Sequence, residues 1–347
     1  MGAIFGIILH SIGGFAAASF YVPYTKVKDW AWVNYWLFGG IFSWIITPAF
    51  IALLAVENNF FILENTEFST KFWTYLFGAL WGIGGLTYGM SMRYLGLSLG
   101  NAVALGFCAI FGTLVPPIFE GRIMILFQDA SGLWTFGGII ACFVGIGICG
   151  LAGAGKDKEL VEDGSIIRTV KEFSMKKGFL VAFISGLLSA CMAFGLAAGK
   201  PIAALSAEHG TSSLWQNSLV LVVILLGGFT TNFIWCGSMI VKNRSFGQFR
   251  DKKAPLKKNY IFSIIAGITW YLQFMFYGMG TTFMGKFDFA SWTLHMAFII
   301  LFSNIWGFSF GEWKGTSHRT RSVMITGLIV IVLSTVLIGI GTYLGAG

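Results

Sequence analysis

The chain has 347 residues, 56% of them hydrophobic and only 11% charged, with a net charge of +8 and a mean hydropathy of +0.77. A soluble domain is about a quarter charged, so this composition excludes a soluble globular protein and predicts an all-α membrane protein. Lys and Arg sit in short segments between apolar runs, the pattern of membrane loops rather than of a nucleic-acid-binding surface.

A bilayer crossing takes about 20 apolar residues, and ten such helices are predicted: 3–23, 34–56, 72–92, 95–118, 133–153, 178–200, 214–240, 258–280, 287–309 and 322–344. The first has no basic stretch before it and reads as a spanning helix rather than a cleaved leader. Very short connections around Arg93 and Lys286 predict tight helical hairpins. Nearly all of the 23 Lys and Arg fall in odd-numbered loops, with only Lys71, Arg122, Lys200 and Lys286 in even-numbered ones. That asymmetry predicts odd loops in the cytoplasm and both termini outside. Residues 154–177 form the longest polar loop. It divides the chain into five-helix halves, 1–165 and 166–347, and an odd number of helices per half makes them inverted repeats within a single transport domain.

Two segments support the duplication. Trp81, Tyr88, Gly89, Met90 and Gly96 recur at one offset as Trp270, Tyr277, Gly278, Met279 and Gly285. Ile146 to Gly155 also resembles Ile338 to Gly347, largely through Gly and Ala. The abundant glycines predict close helix packing. Cys108, Cys142, Cys149, Cys191 and Cys236 all fall in apolar segments without partner spacing, and read as small packing residues rather than disulfides or metal ligands.

Polar groups at membrane depth are functional candidates by default. Trp270, Gln273 and Tyr277 share one helical face, and Trp81 and Tyr88 share the equivalent face of the other copy. Flat rings with fixed amides and hydroxyls suit a sugar, which has apolar C–H faces and a rim of hydroxyls. Anchoring at the membrane interfaces is the competing role for such aromatics, and it is the role expected of Trp30, Trp32 and Trp313. Asn101, Gln216, Asn217 and Asn232 are further amides, equally suited to helix–helix bonding. Asp288, Trp292 and His295 share a face of the ninth predicted helix. His10 is about as deep in the first, some 10 Å in at ~1.5 Å per residue. An acid at the mouth with imidazoles below suits proton entry; Asp288 is equally placed to cap its helix. Enzyme signatures such as HExxH, a phosphate loop or G-x-S-x-G are absent, and no cofactor is expected.

His10, then Gly13 through Trp30, resembles the start of the L-rhamnose–proton symporters, a family of the drug/metabolite transporter superfamily. The resemblance continues in order through Gly39 to Trp44, Trp81 to Gly84, Met92 to Gly96, Trp270 to Phe274 and Ser291 to Met296. It implies ten helices in two inverted five-helix repeats, and import of a sugar with a proton across the bacterial inner membrane. The chain departs from that family at Gly85 and Thr87, where asparagines are usual, and at Thr281 to Gly285, where a His and an Arg are usual. Asn101 replaces an aliphatic residue. These departures bear on which sugar is carried.

The sequence therefore predicts a proton-coupled importer of L-rhamnose or a related monosaccharide, working by alternating access. Trp81, Tyr88, Asn101, Trp270, Gln273, Tyr277 and Trp292 are the expected sugar contacts. His10, Asp288 and His295 are the expected proton-coupling groups. The alternatives are an exporter or exchanger of small metabolites on the same fold, and a membrane sugar receptor without flux.

Overall fold

A computed structural model describes residues 2–95, 97–162 and 174–345. The side chains of Arg93, Leu97, Ser98, Leu99, Asn101 and Met175 are outside the described set, as are Gly96 and Gly347 of the repeat motifs. Among the described residues every regular element is helical: α1 (Gly2–Ser19), α2 (Tyr21–Tyr24), α3 (Trp32–Ile41), a π-helical turn (Phe42–Ile46), α4 (Thr47–Ala55), α5 (Asn59–Asn65), α6 (Phe68–Leu95), α7 (Leu97–Phe119), α8 (Ala130–Glu162), α9 (Met175–Ala198), α10 (Lys200–Glu208), α11 (Ser218–Lys242), α12 (Leu256–Thr281), α13 (Ala290–Ser309) and α14 (His318–Leu344). Short 3₁₀ turns precede α8, α12 and α13.

Nine segments among the described residues are long and apolar enough to cross a bilayer. The third predicted span corresponds to α6, which at 28 residues is long enough but is not among the nine; Thr87, Tyr88 and Ser91 lower its hydropathy. α8 runs into the predicted loop 154–177, of which residues 163–173 lie outside the described set. It continues through Glu162, because Lys156, Lys158, Glu159, Leu160 and Glu162 are good helix formers and no Gly or Pro interrupts the segment. The tight connection expected at Lys286 is a 3₁₀ turn over Gly285–Phe287, opened by Gly285 at φ +53°, a conformation that favours glycine.

The chain forms two compact units. The first comprises residues 1–14, 84–193 and 280–347, and the second 15–83 and 194–279. Each unit thus draws on both sequence halves.

In the first unit α8 and α14 pack antiparallel along their length. A Cβ on Gly138 would lie 2.6 Å from Ile338 Cγ1, and one on Gly145 would lie 2.7 Å from Ile331 Cγ1. Each isoleucine therefore fills the notch of a glycine, the small-residue packing expected where helices associate without a hydrophobic driving force. Glu159, near the end of α8, accepts hydrogen bonds from Ser317 N at 2.7 Å and Ser317 Oγ at 2.7 Å, and closes the pair at one end. Leu126, Ile139, Phe287, Leu294 and Ile338 form a core at the other.

In the second unit α6 and α11 run parallel, with Gly78, Gly82, Gly227 and Gly228 at their contact. Val33 and Leu37 of α3 pack on Cys236 and Ile240 of α11. α3 meets α12 backbone to backbone, since a Cβ on Gly39 would lie 2.9 Å from Ser263 O. Amides close one end of this unit: Asn34 Nδ2 donates to Ser245 O at 2.9 Å, and Asn259 Nδ2 donates to Lys28 O at 2.7 Å.

Candidate functional site

The second unit holds an aromatic cage. Trp270 of α12 stacks on Phe20 with ring centroids 5.1 Å apart. It also lies 5.8 Å from Trp81 of α6, 5.3 Å from Phe274, 6.2 Å from Trp36 and 6.2 Å from Trp44. Quadrupole geometry favours such offset and edge-to-face packing. Within this cage Phe20, Tyr24, Trp36, Gly40, Ser43, Trp44 and Trp270 line a cavity of about 10 Å³, which is room for about one water.

Local sequence explains how the rings get there. A helical side chain leans toward the N-terminus and covers the residue four back. Trp44 therefore covers Gly40, where a Cβ would lie 2.7 Å from Trp44 Cε3. The π-helical turn carries Ser43 and Trp44, both buried; such turns recur at functional sites. Trp36 Nε1 donates to Asn232 Oδ1 at 3.2 Å. The indole N–H groups of Trp44 and Trp270 have no hydrogen-bond partner among the described residues, although both are buried. No charged side chain lines this cavity.

The structure thus brings Trp81 and Trp270 together, as the repeat predicts. Gln273 is buried at 5% exposure and Tyr277 at 3% on the same helix. Asn217 Nδ2 donates to Gly278 O at 2.8 Å and so joins the α11 start to α12. Phe20, Trp36 and Trp44 are cage members that the repeat does not reveal. For the two tryptophans the signal is the Gly39–Gly40 pair, with Trp36 and Trp44 four residues to either side of Gly40.

The first unit holds the two buried imidazoles. His10 of α1 is fully buried and His295 of α13 is 1% exposed. A Cβ on Gly280 would lie 2.8 Å from His10 Cε1 and Nε2, so the ring lies directly on the α12 backbone. Trp292 sits 5.9 Å from His295, centroid to centroid. Its Nε1 donates to Cys108 O at 3.0 Å, and its ring fills the notch of Gly112. Tyr88 packs against the cluster of Leu95, Ala104 and Ala182. Tyr88 and Trp292 thus both make packing contacts within the first unit. Asn101 stands on α7, and its side chain is outside the described residues.

Asp288 precedes α13. Its Oδ1 accepts from Phe289 N at 2.9 Å and from Arg122 Nη2 at 2.9 Å. Arg122 also pairs with Glu120. Lys286 turns instead to Asp129, at 2.7 Å. Hydrogen bonding from Lys286, then from Ser131 and Gly132 N, holds the Asp129 carboxyl below the usual carboxylate range. Charge at this end is therefore arranged as two bridges between the segment 120–129 and the turn 286–288. Among the described residues no group of three His, Cys, Asp or Glu is placed to hold a metal, and all five cysteines are free.

Long apolar helices notched together by glycine, an aromatic cavity without fixed charge and deeply buried imidazoles define a multi-pass membrane carrier. The chain belongs to the L-rhamnose-proton symport protein family, whose family model matches residues 1–343. It is 37% identical over 340 residues to an L-rhamnose-proton symporter of Citrobacter koseri, covering 97% of each chain. It is 36% identical to that of Escherichia coli K12 at the same coverage, and 36% identical over 342 residues to that of Yersinia pestis, covering 97% of this chain and 98% of the relative.

Proposed function

We propose that this protein imports L-rhamnose or a closely related monosaccharide together with a proton across the bacterial inner membrane. The relatives are named for that activity over their whole length, and the cage is the observation in this chain that fits it. Its rings offer flat apolar faces, and two buried indole N–H groups stand without partners. Apolar walls with a few fixed polar groups are what orient a small ligand.

In this reading Trp81, Trp270, Gln273 and Tyr277 contact the sugar. Tyr88, Asn101 and Trp292 remain sugar-contact candidates from the first unit, with Trp292 better suited to holding the His295 ring. His10 and His295 carry the proton, because imidazole changes charge near pH 6.5 when unperturbed. Asp288 serves chiefly as the bridge to Arg122, because the N-cap of α13 is Phe289, without a side-chain cap bond. Ten spanning helices in two inverted repeats, with termini outside, are the architecture proposed. The Trp81 and Trp270 motifs and the Lys/Arg asymmetry support it, and α6 supplies the tenth crossing.

One charge crossing 100 mV is worth about 2.3 kcal/mol, so one proton per sugar sustains roughly 50-fold accumulation. The test is L-rhamnose uptake into proteoliposomes under an imposed gradient, acid outside. Uptake that rises with the gradient supports symport. Equal uptake with and without it sinks symport, and counterflow alone would identify an exchanger. Binding without flux would identify a receptor.

A further inference from the structure

We infer that Trp44 and Trp270 hold the sugar through their indole N–H groups, and that Trp44 is the wall the sugar displaces on entry. This inference rests on the reading of the cage as the sugar site.

Three observations converge on these two rings. Both line one cavity. Neither indole N–H has a hydrogen-bond partner among the described residues, and Trp44 is only 3% exposed. A buried donor left unpaired is costly, so a pair of them at one cavity is tolerated where a ligand completes them. A neighbouring indole supplies the contrast: Trp36 of the same cage gives its N–H to Asn232. The donor set also fits a neutral polyol. Indole can only donate, and a sugar hydroxyl or ring oxygen accepts, with ring faces left to meet its C–H surface.

The cavity volume then requires movement. Small-ligand pockets typically measure ~300–1000 Å³, whereas this cavity is about 10 Å³. A monosaccharide enters only if a ring yields. Trp270 is held by stacking on Phe20 and by contacts to Trp81 and Phe274. Trp44 is held by the Gly40 notch, by edge contacts to Trp36 and Trp270 and by a tilted contact to Phe229. It is also the one carried on a π-helical turn. A π-turn contains one residue more than the α-helical turn it replaces. Passing that residue along the helix rotates the side chains it crosses by about 100°, the angle per residue of an α-helix. α3 and α4 can thus stay seated while the indole swings.

The test replaces Trp44 with benzothienylalanine, which keeps the ring shape and puts sulfur where the N–H was; Trp270→Phe is the companion variant. L-Rhamnose and its 2-, 3- and 4-deoxy analogues are compared in counterflow. Each change should raise the half-saturating L-rhamnose concentration about tenfold, which is about 1.4 kcal/mol. It should also erase discrimination against the one analogue lacking the bonded hydroxyl. Unchanged half-saturation with unchanged discrimination overturns the donor assignment. A fluorine label on the Trp44 ring should report a sugar-dependent resonance shift that saturates with binding; a resonance that stays put at saturating sugar overturns the moving wall. Trp81→Ala separates this from the cage reading. If Trp81→Ala weakens binding while the Trp44 and Trp270 changes do not, only the present inference fails. If none of the three alters binding, the sugar sits elsewhere.

Discussion

The two units solve different problems with different chemistry. The second concentrates tryptophan: Trp36, Trp44, Trp81 and Trp270 share one cage, and amides such as Asn34, Asn232 and Asn259 make its polar contacts. The first holds His10 and His295 in its interior and bridges of charge at an end, Arg122 to Asp288 and Lys286 to Asp129. Ring faces and neutral donors recognise a neutral solute, while imidazole moves a proton. On the proposed roles of cage and imidazoles, recognition and energy coupling would be divided by unit rather than by sequence half, since both units contain segments of both halves.

The most severe way to break this division is His295→Gln. Gradient-driven accumulation should fall from roughly 50-fold to none, with counterflow exchange retained; a variant that still accumulates sugar removes His295 from coupling. Trp270→Ala should do the reverse, raising the half-saturating concentration by more than tenfold through loss of stacking and burial, while the pH-gradient dependence of the remaining uptake stays. Were Trp270→Ala to uncouple transport without weakening binding, the assignment of roles to units would be wrong.

Gly40→Ala offers a finer probe. Its methyl would overlap the buried Trp44 ring, so a severalfold loss of apparent affinity is expected together with a lower melting temperature. Gly138→Val should lower the melting temperature alone, because overpacking the Ile338 notch costs about 1–3 kcal/mol, and the affinity of the folded fraction should be untouched.

Asp129→Asn should matter least. The carboxyl is exposed, and surface bridges contribute little. Because its folded value lies below the unfolded one, its contribution is fully present above the unfolded pKa, about 3.9, and is lost as pH falls through the folded value. Melting followed from pH 5 to 8 should therefore show no step that Asp129→Asn removes.

Much of this was legible from sequence. Helix positions follow from apolar run length, and Trp81 with Trp270 from the repeat. Other features depend on neighbours that no local pattern encodes. Trp30 and Trp313 look like interface anchors, yet they are buried at 8% and 4% exposure, Trp30 against Phe249 and Tyr260, and Trp313 under Phe308 and Lys156. Lys286 stands two residues from Asp288 in the chain, yet it pairs with Asp129, and Asp288 pairs with Arg122, 166 residues away. The π-turn is invisible because Phe42 to Ile46 has ordinary helical composition.

The α8–α14 pairing has a consequence for how the protein is made. Roughly 180 residues separate the ends of these helices, and at ~5–20 residues per second a ribosome needs on the order of ten to forty seconds to deliver α14. Throughout that interval the notches at Gly138 and Gly145 lack the isoleucines that fill them in the folded protein and are open to lipid or to other helices. Biogenesis of this carrier therefore has a window in which its fifth long helix is exposed to mispairing, and the window closes only when Ile331 and Ile338 arrive.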